Sequence, residues 1–253
     1  MVDYKTNTEK MMAQWWQSPL GHSILDQEKM AIQLLNAHFH GHYQLQIGVE
    51  QSLLPSLPKP SMQKVMALTG DVQGDSTSLP FKCNSIDTLL LGHALEFSRD
   101  PHQVLREAER ILVSDGTIIL CSFNPWSLWG LRRLFSWQDM TPWQGKFFSQ
   151  TRIKDWLALL NFEVISTKRL VFRPPIHNEM WFQRFKWVER WGKRLWPFFS
   201  GVTILVATKR TIPLTPLATR WKAKPLFPRQ LAQGPVSRGN MRTPYNSKLN
   251  VKS

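Results

Sequence analysis

His93 is the side chain best placed for acid–base chemistry. It follows Gly92, which ends the apolar run 86–91. Groups at the carboxyl end of a buried strand face the ligand crevice of an open α/β sheet. An imidazole there can serve as a general base or pack beneath a bound cation. A hydrogen-bonded structural histidine is the plain alternative. Ala94 comes next and shares that position. A second group is Asp75-Ser76, inside Gly74-Asp75-Ser76-Thr77-Ser78-Leu79-Pro80-Phe81. Taken alone, this acid reads as an Asx turn closing a loop. His38, His40 and His42 alternate around Phe39 and Gly41. On an extended segment they would share one face, as metal ligands can. No carboxylate or cysteine cluster backs them, so a solvated helix end is expected and no metal.

These groups need elements to hold them. The run 86–91 carries a single acid, Asp87, and reads as a strand buried on both faces. Asp100-Pro101 supplies an N-cap and a first-turn proline. Val104, Leu105, Ala108, Ile111 and Leu112 then fall at helical spacing. Ser114-Asp115-Gly116 reads as a tight turn before a second buried strand, 117–122. Strand, helix and strand make a right-handed βαβ unit. Upstream, 43–48 (YQLQIG) reads as the first strand, with Ile47 and Gly48 at its end. The stretch 53–60 has three prolines, so any helix there is short or absent. A strand at 65–68 and a turn at Thr69-Gly70-Asp71 follow. Two helical pieces occupy 1–40, and Trp15, Trp16 and His22 either line a pocket mouth or, more simply, pack on the sheet. Downstream come a helix at 128–135, a Trp-rich loop at 137–148 that would serve as a substrate lid, a helix from Ser149, a strand at 163–167 and a last strand at 202–208.

The stretch 85–124 resembles the second half of the class I S-adenosylmethionine-dependent methyltransferase domain, of the type 11-like small-molecule branch. The residues that carry the likeness are Ile86-Asp87, His93-Ala94-Leu95-Glu96, Asp100-Pro101, Leu105-Arg106-Glu107, Arg110-Ile111-Leu112 and Asp115-Gly116-Thr117. The resemblance implies a Rossmann-like, doubly wound, mostly parallel sheet with an antiparallel last strand, N-terminal helices and a helical insert before that strand. It implies S-adenosyl-L-methionine as cofactor. Gly74 to Phe81 is similar to the family's adenine loop, which puts Asp75 on the adenine amine and the Ser76 amide on the ring. The end of the first strand, Ile47-Gly48, corresponds to the loop around the methionine part, and His93 and Ala94 stand where cofactor contacts and reacting groups gather. Two departures follow. Only Gly48 of the family's three loop glycines is present, with Gln46 where an acid is usual. The second-strand unit is shortened, which makes Asp71 the one candidate for the ribose hydroxyls.

The chain has 253 residues and a formal charge of +14, enough length for one full core plus additions. Residues 1–163 hold 14 Lys+Arg against 16 Asp+Glu, and residues 164–253 hold 18 against 2. The basic C-terminal part suits a polyanionic partner. Trp181, Phe185, Val188 and Trp191 at helical spacing, with Arg184, Lys186, Arg190, Lys193 and Arg194 beside them, have an interfacial-helix composition. A peripheral contact with an anionic membrane through 181–196 and a basic, disordered 209–253 tail is therefore expected. A nucleic-acid contact is the weaker reading. The domain division expected is a cap at 1–42, an α/β domain at 43–208 with an insert at 173–200, and the tail. Cys83 and Cys121 form no framework and are both expected to be buried thiols. With no secretory signal and no apolar run of about 18 residues, a cytoplasmic protein, peripheral at the inner membrane surface, is expected. The function expected is methyl transfer to a small or lipid-like acceptor. The alternative is a non-catalytic module that keeps the fold and docks through its basic region.

Overall fold

The computed structural model describes residues 10–57, 61–67, 69–135, 143–172 and 200–210. The expected interfacial helix at 181–196, the first part of the lid and all but the start of the basic tail lie outside the described residues. One compact unit spans Met1–Ile212, and a second, Pro213–Ser253, lies outside the described residues.

Six strands form one sheet: β1 Tyr43–Ile47, β2 Met62–Met66, β3 Ile86–Gly92, β4 Leu112–Phe123, β5 Phe162–Leu170 and β6 Val202–Lys209. Their order is β2-β1-β3-β4-β6-β5. Strands β2, β1, β3 and β4 are parallel, and β6 runs antiparallel between β4 and β5. The helices are α1 (10–16), α2 (Pro19–Gln33), α3 (Ala94–Phe97), α4 (Pro101–Ile111), α5 (Leu128–Phe135) and α6 (Gln150–Leu159). This is the expected Rossmann-like, mostly parallel architecture with an antiparallel last strand.

Alternation along the central strands divides the core in two. Leu90, Ile119 and Val206 face α1 and α2 with Trp15, Trp16, Ile24 and Ile32. Leu89, Leu91, Ile118, Leu120 and Leu205 face α4 and α6 with Val104, Leu105, Ile153 and Leu157. The N-terminal helices thus share the sheet's core. Helix α4 starts at the Asp100 cap, whose carboxylate accepts from the Gln103 N–H at 3.0 Å. Asn161 ends the α6 segment with φ 59°, the left-handed conformation that asparagine tolerates.

Several sequence expectations are corrected. Strand β2 lies at Met62–Met66, earlier than the 65–68 expected, because its register with β1 begins at Tyr43↔Met62. The helix usual after the second strand is absent; Val72 instead forms a parallel bridge to Met66. The turn at 114–116 is an excursion within β4: Ile86 pairs with Leu112, then Thr88 with Thr117, and Asp115 takes φ 59°. Cys83 is exposed, since it sits in the turn after Phe81; only Cys121 is buried. In the lid stretch, Trp143, Phe147 and Phe148 are buried. Trp143 packs near Trp129, and Phe147 stacks on Phe123.

Candidate functional site

The sheet's order reverses at β1 and β3, where the chain crosses from one side of the sheet to the other. In such folds ligands bind outside the carboxyl ends of the strands at that point. A cavity of about 310 Å³ opens there. Ile47 and Gly48 line it from β1, Met66 and Ala67 from β2, and Gly92, His93 and Ala94 from β3. Gly74, Asp75, Ser76 and Thr77 supply one wall, and Met12 and Trp16 of α1 supply another. Six of the seven residues expected to hold the cofactor therefore share one cavity: Ile47, Gly48, Asp75, Ser76, His93 and Ala94.

Asp71 is not among them, and its expected role on the ribose hydroxyls is corrected. Its carboxylate accepts from the Val65 N–H at 2.9 Å and lies 3.7 Å from the Lys64 ammonium. It thereby closes the turn that replaces the missing helix. His22 is exposed and also lies off the cavity.

The first loop is rebuilt rather than merely worn. Gly48 has φ 111°, and a Cβ placed on it would sit 2.2 Å from the Gly92 carbonyl oxygen. Only glycine permits that approach and that backbone. Beyond it, Gln46 does what glycines do elsewhere. Its amide N–H₂ donates to the Val49 and Gln51 carbonyls, each at 2.7 Å. Its amide oxygen accepts from the Leu53 N–H at 2.8 Å. A glutamate here could make only the last of these bonds. The Gln46 side chain thus fixes the loop 49–53 without further glycines.

The Asp75 loop is clasped from α4. Asp75 Oδ1 accepts from the Thr77 N–H at 2.9 Å and the Thr77 hydroxyl at 2.8 Å. Arg110 donates to the Leu79 and Phe81 carbonyls, each at 2.9 Å, while Glu107 accepts from the Leu79 N–H. Hydrogen bonding to Arg110 holds the Glu107 carboxyl below the usual carboxylate range. The Arg-Glu pair therefore sets where the cavity wall at 74–77 stands.

His93 heads β3's end with φ 54° and is buried. Its Nε2 lies 2.7 Å from Glu28 Oε1, and its Nδ1 lies 3.3 Å from Glu96 Oε1. Glu96 Oε1 also accepts from the Phe123 N–H at 2.7 Å. Burial alone would pull the imidazole's pKa down. The Glu28 carboxylate, helped by Glu96, more than reverses this and pushes it up to about 10. Both ring nitrogens are engaged by carboxylates, so neither offers a lone pair to the cavity. The general-base role expected for His93 is corrected on that ground. His93 is a positioning residue: it ties α2 to the ends of β3 and β4 and presents a ring edge to the ligand space. Trp16 and Phe123 pack on it, with ring centroids at 5.0 and 4.2 Å. Glu28, Glu96, Gln46 and Glu50 were not singled out in the sequence. Gln46 alone left a local signal, by standing where the family carries an acid. Among the described residues, no group of three metal-ligating side chains could hold an ion. No described helix is long and apolar enough to cross a membrane.

The fold and the cavity at its switch point define the class of S-adenosylmethionine-dependent methyltransferase folds. Residues 56–120 match the family model for the methyltransferase domain. Sequence match and architecture together place the α/β domain in the class I methyltransferase family. An Escherichia coli K12 protein called YafS, described as uncharacterized, is 40% identical over 148 residues, 57% of each chain. Malonyl-[acyl-carrier protein] O-methyltransferase 1 of Coxiella burnetii is 31% identical over 100 residues, 39% of this chain and 35% of that one. The chain thus spans only part of the length of both curated relatives. A Thermotoga maritima structure described as a SAM-dependent methyltransferase, possible histamine N-methyltransferase, superposes with a TM-score of 0.55 at 17% identity, covering 78% of this chain and 93% of that one. At that identity the likeness concerns the fold.

Proposed function

We propose that the chain binds S-adenosyl-L-methionine in this cavity and transfers its methyl group to a nucleophile on a small or lipid-like acceptor. The observation that carries this reading is the gathering of Gly48, Asp75-Ser76 and His93-Ala94 around one cavity at the switch point. The residues fit the cofactor. Gly48 leaves a cradle that a Cβ would fill. Asp75 and Ser76 stand on the wall assigned to adenine.

When bound, the cofactor supplies an activated methyl group on a cationic sulfonium. The protein's part is alignment and exclusion of water. Trp16 and Met12 of α1 cover one side of the cavity. Behind the wall, two carboxylates and one imidazolium leave a net negative charge, the sign that suits a sulfonium. No described side chain serves as a general base, so the acceptor's nucleophile arrives ionised or intrinsically reactive. An acyl carboxylate, the kind of group named for the Coxiella relative, meets that requirement.

Asp75→Ala weakens binding of S-adenosylmethionine and S-adenosylhomocysteine by about tenfold in titration calorimetry, the loss of a charge-assisted hydrogen bond. Unchanged affinity rejects the adenine contact. The alternative reading is a module that keeps the fold without catalysis. The Gln46-held loop favours it, since that loop satisfies itself without a ligand. Absence of binding by the intact chain would decide for it. On sequence grounds alone, we also assign the basic C-terminal part to an anionic membrane surface. Deleting 211–253 should reduce co-sedimentation with phosphatidylglycerol vesicles at low salt, and undiminished sedimentation removes the tail from that role.

A further inference from the structure

We propose that Glu50 takes over the ribose hydroxyls of the cofactor, a role that Asp71 cannot fill from where it lies. This rests on reading the cavity as the S-adenosylmethionine site. Two acids line the cavity, Glu50 and Asp75. Asp75 already spends Oδ1 on Thr77. Glu50 differs: its Oε1 is out of contact with solvent and has no hydrogen-bond partner. A buried carboxylate oxygen without a donor is costly, and the wall it belongs to faces the ligand space.

The loop makes this placement fixed. Gly48 turns the chain tightly against Gly92. Val49 is buried, and a Cβ on Gly92 would lie 3.2 Å from its Cγ2. Gln46 pins the carbonyls of Val49 and Gln51, one on each side of Glu50. Residue 50 is therefore held between two fixed neighbours. It stands in the cavity between the ends of β1 and β2, and β2 contributes only Met66 and Ala67 there. A pair of vicinal hydroxyls gives a carboxylate two donors at once, and a small rotation about χ3 brings Oε1 to them.

The test is titration calorimetry on the full chain with S-adenosylhomocysteine, 5′-methylthioadenosine and the 2′-deoxy analogue of the latter. Glu50→Gln should weaken the first two alike, by about 10- to 100-fold, as expected for a hydrogen bond to a charged group. Wild type should lose a similar factor when the 2′-hydroxyl is missing, and the variant should lose little more. Equal binding by wild type and variant overturns the assignment while leaving the cofactor site intact. A loss confined to S-adenosylhomocysteine also overturns it, because the partner is then the amino-acid end. If wild type binds none of the three, the cofactor reading falls and this one with it. Should Glu50→Gln fail to fold, the wild-type comparison of ribo and deoxyribo ligands still decides: no difference refutes the proposal.

Discussion

His93→Leu lowers the unfolding free energy by about 3–5 kcal/mol, the cost of leaving buried carboxylates without their counter-ion. Glu28 and Glu96 are both buried, and each already has a second oxygen without a partner. Removing the imidazolium strands both charges among Trp16, Phe123 and Cys121. For a protein of this size the midpoint of thermal unfolding should fall by roughly 10 °C. A double substitution, Glu28→Leu with His93→Leu, recovers part of the loss, since an apolar replacement removes one charge along with its partner. A single variant as stable as wild type would show that the cluster is not ionised as described. The pH dependence has a definite sign. The folded imidazole titrates at about 10 and the unfolded one near its ordinary value of 6.5. Its contribution is complete below the unfolded value and disappears as pH rises through about 10. Stability should therefore decline between pH 7 and 10.5, and more steeply in wild type than in the His93→Leu variant.

Gly48→Ala should be the most damaging single change at the cavity. The new Cβ would meet the Gly92 carbonyl at 2.2 Å, on a backbone whose φ of 111° L-residues rarely adopt. Both strands' ends would have to part. Strain and overpacking together cost about 2–4 kcal/mol. Binding of S-adenosylhomocysteine should fall beyond detection, because the same movement displaces Val49, Glu50 and Ala94 from the wall. Gly74→Ala is the matched control: its Cβ meets nothing closer than 3.4 Å, so unfolding should change little. Calorimetry and thermal unfolding of the two variants check this together. A Gly48→Ala protein that binds normally would show that the β1 loop does not shape the site.

The sheet was legible because its signals are local. The run 86–91, the Asp100-Pro101 helix start and the apolar spacing of α4 each follow from residues within a few positions of one another. The strand order followed from the family likeness. Asp75-Ser76 and Gly48 reached the cavity because turn chemistry and a required positive φ leave marks in sequence. What stayed hidden depends on distant partners. Nothing near His93 shows that Glu28, 65 positions earlier, lies on its Nε2. Sequence made His93 a reacting group, and the fold made it a buried tie. Asp71 misled for the same reason. Its nearest acid-seeking partner is the Val65 N–H six residues back, reached only because the usual helix is missing. Gln46 marks the boundary between the two cases. Its departure from an acid was visible, but its three bonds to the loop could be seen only in three dimensions.

The most direct test is a crystal structure of the full chain with S-adenosylhomocysteine. The adenine should lie against Asp75 and Ser76, the ribose hydroxyls against Glu50, and the sulfur before His93 and Ala94, with Gly48 beneath the chain that joins them. A cavity closed by the protein's own side chains, or a ligand bound elsewhere on the molecule, would contradict the assignment of methyl transfer to this fold.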